Sequence, residues 1–304
     1  MKKTFKQSIK ISVIKKLRFS RRYIFTGIGI CIVLFVLVFL GGYSSILSHK
    51  SIPQSQPQKQ EKRVSKGQVI VSAQKSVRFP LAHQNLKVPI LMFHHIRDPR
   101  SVNDRIQKNL SVSPAKFKID LEWLRGHGYQ PYSIDDLTGI LSGQIVVSKK
   151  PVILTFDDGY EDNYQAAFQN LKALSMVGNF YIITGAVDKP NYMTSGQLKE
   201  MSREGMVIGS HTISHLDLAR ASLSHQVREL TDSKEFLMNL LNKDIDDFCY
   251  PSGKYNSLTL MIESSRGYKT AVTENSGFAT AAFNPLQLPR LRITEMTNFS
   301  RLLP

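Results

Sequence analysis

From Lys87 onward, short apolar runs alternate with longer stretches whose apolar residues recur three and four positions apart. The runs are KVPILMFHHI (87–96), PVILTF (151–156), GNFYIIT (178–184), MVIGSH (206–211), DDFCYP (246–251), TAVTEN (270–275) and LPRLRI (288–293). Continuous Val, Ile and Leu mark strands buried on both faces. Between the runs, PAKFKIDLEWLRGHGY, DNYQAAFQNLKALSM, TSGQLKEMSREG, LSHQVRELTDSKEFLMNLLNK and SLTLMIESSRGY carry helical spacing. Strand alternating with helix predicts an α/β domain with a parallel sheet and its helices outside. The extent of the pattern predicts one (β/α) barrel over residues 86–304.

The segments before Leu86 follow neither pattern. Tyr23 to Tyr43, YIFTGIGICIVLFVLVFLGGY, are twenty-one residues without a charge, long enough to span a bilayer as a helix. A signal peptide usually has a shorter apolar region followed by an A-x-A-like site, whereas this segment ends in LGGYSS, so an uncleaved transmembrane signal-anchor is expected over 23–43. Residues 1–22 contain nine Lys or Arg and no acid. That flank stays in the cytoplasm, making a single-pass protein of the cell membrane with everything after Ser44 extracytoplasmic. Residues 44–85, rich in Ser, Gln, Lys and Pro, read as a linker.

Charge sharpens that division. The net +16 separates into +9 over residues 1–22, +6 over 44–85 and +1 from 86 onward. A nucleic-acid binder would carry its basic patch on the folded domain, so no nucleic-acid partner is expected; the cytoplasmic cluster suits anionic membrane lipid. Cys31 lies in the apolar segment and Cys249 is the single cysteine after it, so the domain has no internal disulfide available.

Polar residues collect at the carboxyl ends of the runs, where barrels gather their chemistry: His94 and His95, Asp157 and Asp158, His211 and His215, and Ser252. Each has an ordinary reading alone. DDG is a common turn, and two histidines four apart are compatible with coordination without demanding it. Together, two imidazoles and one carboxylate suit zinc with open positions left for water and substrate. The second carboxylate of VILTFDDG is then placed to take a proton from attacking water, and a cation offsets the repulsion between the adjacent aspartates.

TFDDG at 155–159, GSHTISH at 209–215 and YPSGKYN at 250–256 resemble, in order, the motifs of the NodB-homology polysaccharide deacetylases of carbohydrate esterase family 4, over about residues 87–293. The resemblance implies a distorted (β/α) barrel and a hydrolase that removes acetyl groups from N-acetylated sugars with a divalent metal, commonly Zn2+. By position it implies Asp157 as general base and Asp158, His211 and His215 as metal ligands. Where the family reads P-aromatic-G, this chain has Pro251-Ser252-Gly253, which keeps the Ser252 amide as oxyanion donor and loses the aromatic wall. Many members carry an arginine two residues before that proline to orient the base; here the residue is Cys249, and Arg290 in LPRLRI, which matches a late motif, is the substitute. No histidine follows Ile293. The acid is therefore expected near the start of the domain, as in the subgroup resembling poly-N-acetylglucosamine deacetylases, where Phe93-His94 occupies the matching place and His95 is the alternative.

The functional expectation is a membrane-anchored deacetylase of N-acetylglucosamine-containing surface polysaccharide, either poly-N-acetylglucosamine or peptidoglycan. An O-acetyl esterase on wall glycan or xylan would use the same site, and a catalytically silent glycan-binding module would keep the groove. The facial triad of an iron oxygenase would also be two histidines and a carboxylate. Such enzymes usually sit on all-β folds, which the alternation here disfavours.

Overall fold

The computed structural model describes residues 86–98 and 105–304. The basic stretch 1–22, the anchor 23–43 and the linker 44–85 lie outside the described residues. Among the described residues, no helix is long and apolar enough to cross a membrane.

Each of the seven predicted runs contributes one barrel strand: β1 (Val88–Phe93), β2 (Lys150–Phe156), β3 (Asn179–Ile182), β4 (Val207–Ser210), β5 (Asp247–Cys249), β6 (Thr270–Ser276) and β7 (Leu288–Arg292). Neighbours in the chain are parallel neighbours in the sheet, and β1 closes the ring by pairing with both β2 and β7. Closure removes the exposed edges that an open parallel sheet would present. Leu91 of β1 lies opposite Leu154 on one side and Leu291 on the other.

Strand alternation sorts the side chains into two cores. Leu91, Phe93, Leu154, Phe156, Phe180, Ile182 and Phe248 belong to the larger cluster, which they share with Phe117, Leu121, Leu198, Leu230 and Leu237 of the surrounding helices. Ile90, Ile153, Tyr181, Cys249, Val272 and Leu288 form the inner one. The helices that follow or precede the barrel strands include α1 (Pro114–Gly126), α2 (Ile134–Ser142), α3 (Gln169–Ala173), α4 (Ser195–Arg203), α5 (Leu223–Leu241) and α6 (Ser257–Ser265). Ser113, Ser133, Thr194, Ser222 and Asn256 stand just before five of them, each accepting a backbone amide two or three residues on.

The strand Tyr129–Pro131 and α2 were not part of the expected pattern. Helix α2 is short and carries Gly139 in its middle, which weakens its helical signal. Tertiary packing explains the glycine: a Cβ there would meet Ile145 Cδ1 at 2.7 Å. Ile134, Leu137, Ile140 and Leu141 join the inner cluster with Val88 at the start of β1, so α2 closes the amino-terminal mouth of the barrel. Buried Asn179 ties it there, accepting from the Ile134 amide (2.8 Å) while donating to Leu154 O (2.9 Å). The expected helix at 162–176 begins as a π-helical turn, Asn163–Phe168, before α3. With one mouth closed, the carboxyl ends of the strands form the accessible rim.

Candidate active site

Asp157 follows β2 directly and is 2% exposed. Arg290, in the middle of β7, is 1% exposed; its Nη1 and Nη2 donate to Asp157 Oδ1 and Oδ2, each at 2.8 Å. The register between β6 and β7 shifts between Leu288 and Arg290, the kind of irregularity that re-aims a side chain. Nη1 also donates to Thr155 Oγ1 (3.0 Å), Nη2 to Cys249 Sγ (3.3 Å) and Nε to Thr273 O (2.8 Å). All five N–H donors of the guanidinium thus find acceptors inside the barrel, the condition under which a buried charge pair persists. Burial by itself would raise the Asp157 pKa; the Arg290 charge and hydrogen bonds outweigh it and hold the carboxyl well below the usual range. Cys249 completes the contact, its thiol donating to Asp157 Oδ2 at 3.5 Å.

Asp158 and Gly159 have successive left-handed backbones, φ 75° and 78°. Asp and Gly accept that region more readily than other residues, which is the local reason the strand ends in DDG. Asp158 Oδ1 lies 3.4 Å from His211 Nε2 and 3.6 Å from His215 Nε2, and all three candidate ligand atoms fall within 4.8 Å of one another. His211 leaves β4 with its amide on Ile182 O (2.9 Å) and its Nδ1–H on Cys249 O (2.7 Å). That second bond fixes the tautomer and turns the Nε2 lone pair toward Asp158.

His215 is reached through a turn in which Thr212 (φ 65°) and His215 (φ 59°) are left-handed. The His215 amide donates to Thr212 Oγ1 (2.9 Å). Glu229 of α5 accepts from Ile213 N (2.7 Å), Ser214 N (3.0 Å) and Ser214 Oγ (2.7 Å), so one carboxylate braces the whole loop. One carboxylate and two imidazoles, one of them oriented by a carbonyl, are a donor set that fits a zinc-type cation. Asp157, His211 and Cys249 also lie within 4.8 Å of one another. Their lone pairs are less available, because Asp157 is committed to Arg290 and His211 Nδ1 to the Cys249 carbonyl.

His94 and His95 part company. His94 Nε2 stands 3.8 Å from Asp157 Oδ2, and burial lowers its pKa against the opposing pull of Asp157 and Asp158. His95 faces elsewhere: its Nδ1 bonds Asp162 Oδ2 (2.7 Å), its Nε2 meets Arg97 Nη2 (3.0 Å), and its ring stacks on Tyr160 at 3.7 Å. Pro251 is buried and opens a tight turn over Pro251–Gly253 in which Ser252 is left-handed (φ 53°) and exposed. The Gly253 and Lys254 amides close that turn on Tyr250 O and Pro251 O.

Glu229 and Asp162 are positioning groups that the motifs do not contain. Gln226, Glu229, Leu230, Ser233 and Leu237 are the buried residues of α5. Their spacing is that of one helical face, so polar residues within the apolar stripe are the signal by which Glu229 is legible in sequence.

A sequence-family model for polysaccharide deacetylases matches residues 145–271. YxkH of Bacillus subtilis, assigned by its name to the polysaccharide deacetylases, is 33% identical over 241 residues, 79% of this chain and 82% of the relative. The poly-β-1,6-N-acetyl-D-glucosamine N-deacetylase of Staphylococcus aureus is 25% identical over 227 residues, 67% of this chain and 78% of that protein. Among solved structures, the Streptococcus pyogenes deacetylase PplD in complex with acetate superimposes with a TM-score of 0.67 at 37% identity, covering 71% of this chain and 96% of that one.

Proposed function

Since the chain belongs to the polysaccharide deacetylases, hydrolases of carbon–nitrogen amide bonds, we propose that it removes N-acetyl groups from an N-acetylglucosamine-containing surface polysaccharide. The observation that carries this reading is the convergence, from separate strand ends, of an arginine-held Asp157, a facing His94, and the trio Asp158, His211 and His215. That the staphylococcal relative is named for poly-β-1,6-N-acetyl-D-glucosamine supports the same polymer here. The charge division of the N-terminal 85 residues supports a chain anchored through 23–43 and acting outside the membrane.

Asp158, His211 and His215 would hold one divalent cation, zinc by the chemistry of its donors. Such an ion supplies Lewis acidity, polarising the acetamide carbonyl and acidifying adjacent water. Asp157, kept ionised and aimed by Arg290, takes the proton as that water attacks the carbonyl carbon. The Ser252 amide, in its left-handed turn, is the chain's own donor for the developing oxyanion. His94, buried beside the same carboxylate, protonates the departing nitrogen as the C–N bond breaks. The products are acetate and an amino sugar, cationic near neutral pH.

The test is acetate release from β-1,6- and β-1,4-linked N-acetylglucosamine oligomers by the full-length chain with zinc, after chelation, and as Asp157→Asn. Release with zinc that chelation abolishes and Asp157→Asn cuts by about 100-fold or more is expected. A zinc-saturated wild type inert toward every N-acetyl glycan but active on O-acetyl xylan would replace this reading with the esterase.

A further inference from the structure

A row of three rings stands beside the site and none of the proposed chemical steps uses it. The His95 ring lies against Tyr160 with centroids 3.7 Å apart and planes 21° from parallel, and Tyr160 lies against Tyr192 at 5.3 Å and 30°. His95 is immobilised from behind, its Nδ1 on Asp162 and its Nε2 on Arg97, while Asp162 Oδ1 also takes the Ile96 amide (2.9 Å). Tyr160, the middle ring, sits two residues beyond Asp158, on the turn that carries that candidate ligand. Both tyrosines are half-buried.

The backbone that presents Tyr192 turns twice through the left-handed region. Asp188 (φ 63°) and Asn191 (φ 70°) are both left-handed, and neither is glycine. The loop is then braced: Tyr160 and Tyr192 form an isolated antiparallel bridge, Met193 N donates to Gly159 O (2.9 Å), and Glu161 N donates to Asn191 O (3.0 Å). Asp188 accepts from the Ser195 amide (2.8 Å) and hydroxyl (2.6 Å), pinning the loop to the start of α4. The bracing fixes the Tyr192 ring relative to the DDG turn and so to the reacting centre.

We propose that Tyr192, backed by Tyr160 and His95, is a sugar-stacking platform that holds the N-acetylglucosamine unit next to the one losing its acetyl group. The proposal rests on the deacetylase reading of the site and adds to it a preference for oligomers over single sugars. A β-linked pyranose has equatorial hydroxyls and presents a face of axial C–H bonds, which meets the electron-rich face of an aromatic ring. The family's usual aromatic wall beside the oxyanion turn is absent at Ser252, and Tyr192 supplies a ring from another part of the rim.

The experiment uses the full-length, zinc-loaded chain carrying Asp157→Asn to suppress turnover, and measures the affinity of a β-1,6-linked N-acetylglucosamine pentamer by calorimetry. Tyr192→Ala and Tyr192→Leu are expected to weaken the pentamer by about tenfold, and Tyr192→Phe by less than about twofold, because the ring face rather than the hydroxyl is used. Tyr192→Leu retains apolar volume, so a melting curve matching that of the parent shows that the fold is intact. Affinity unchanged in Tyr192→Leu, or a loss in Tyr192→Phe equal to that in Tyr192→Ala, overturns the platform. Acetate release by the parent without Asp157→Asn separates the two readings. Turnover with no Tyr192 effect removes the platform alone, whereas a Tyr192 effect with no turnover on any glycan removes the deacetylase and leaves a glycan-binding groove.

Discussion

Replacing Arg290 with Gln tests the contact on which the base depends. Arg290 spends all five donors inside the barrel, two of them on Asp157 at 2.8 Å, and both side chains are essentially without solvent. Removing one partner of a buried pair leaves the other charge uncompensated, at a cost of about 3–5 kcal/mol. For a domain of roughly 150–250 residues, that lowers Tm by about 6–20 °C. Calorimetry in the presence of chelator measures it without compensation from a bound cation. The pH dependence follows from the sign of the Asp157 shift. In the wild type its folded pKa is depressed, so its contribution to stability is present above its ordinary value of 3.8 and fades as pH falls below that value. In Arg290→Gln burial is opposed only by the neighbouring His94 and His211, so the pKa moves up and the stabilising contribution of the ionised carboxylate shrinks. The gap between the two proteins should be widest near neutrality and narrow toward pH 4. Adding Asp157→Asn to Arg290→Gln replaces the ion pair with neutral amides of similar shape and should recover most of the loss. A Tm change under about 2 °C for Arg290→Gln, or a double variant as unstable as the sum of the two single ones, would refute the buried pair.

Two further outcomes are expected. His94→Ala should bind zinc with wild-type stoichiometry while kcat falls by about 100-fold or more, measured by metal analysis beside acetate release; loss of metal together with activity would make His94 a ligand instead. Glu263 of α6 is buried against the Tyr250 hydroxyl, whose single proton is also claimed by Leu286 O (2.8 Å), and burial pushes its pKa up from 4.5 to about 8. A raised folded value means a stabilising contribution complete below pH 4.5 and lost as pH climbs through 8. Glu263→Gln should therefore gain on the wild type with rising pH, by on the order of 5 kcal/mol at pH 9, and parallel stability curves from pH 5 to 9 would show that Glu263 is ionised throughout.

The seven strands were legible because burial on both faces forces continuous apolar runs, a signal that survives without any neighbour. The proposed base and ligands were legible because each sits where a run ends, and chemistry at a barrel's rim must come from such ends. Helix α2 was not, since its reason for existing is the open mouth it covers, and Gly139 makes sense only against Ile145. His94 ranked ahead of His95 as the expected acid by the resemblance alone and not by anything in the two residues themselves. They are adjacent and chemically identical, and only the positions of Asp157 on one side and Asp162 on the other tell them apart. Arg290 lies 133 residues from the carboxylate it holds, and its aim depends on a register shift between β6 and β7. Local sequence determined which segments are strands, which are helices, and what chemical groups stand at their ends. Which of those groups touch was decided by barrel closure and strand register, because hydrogen bonds and charge pairing act over a few ångströms of space and are indifferent to distance along the chain.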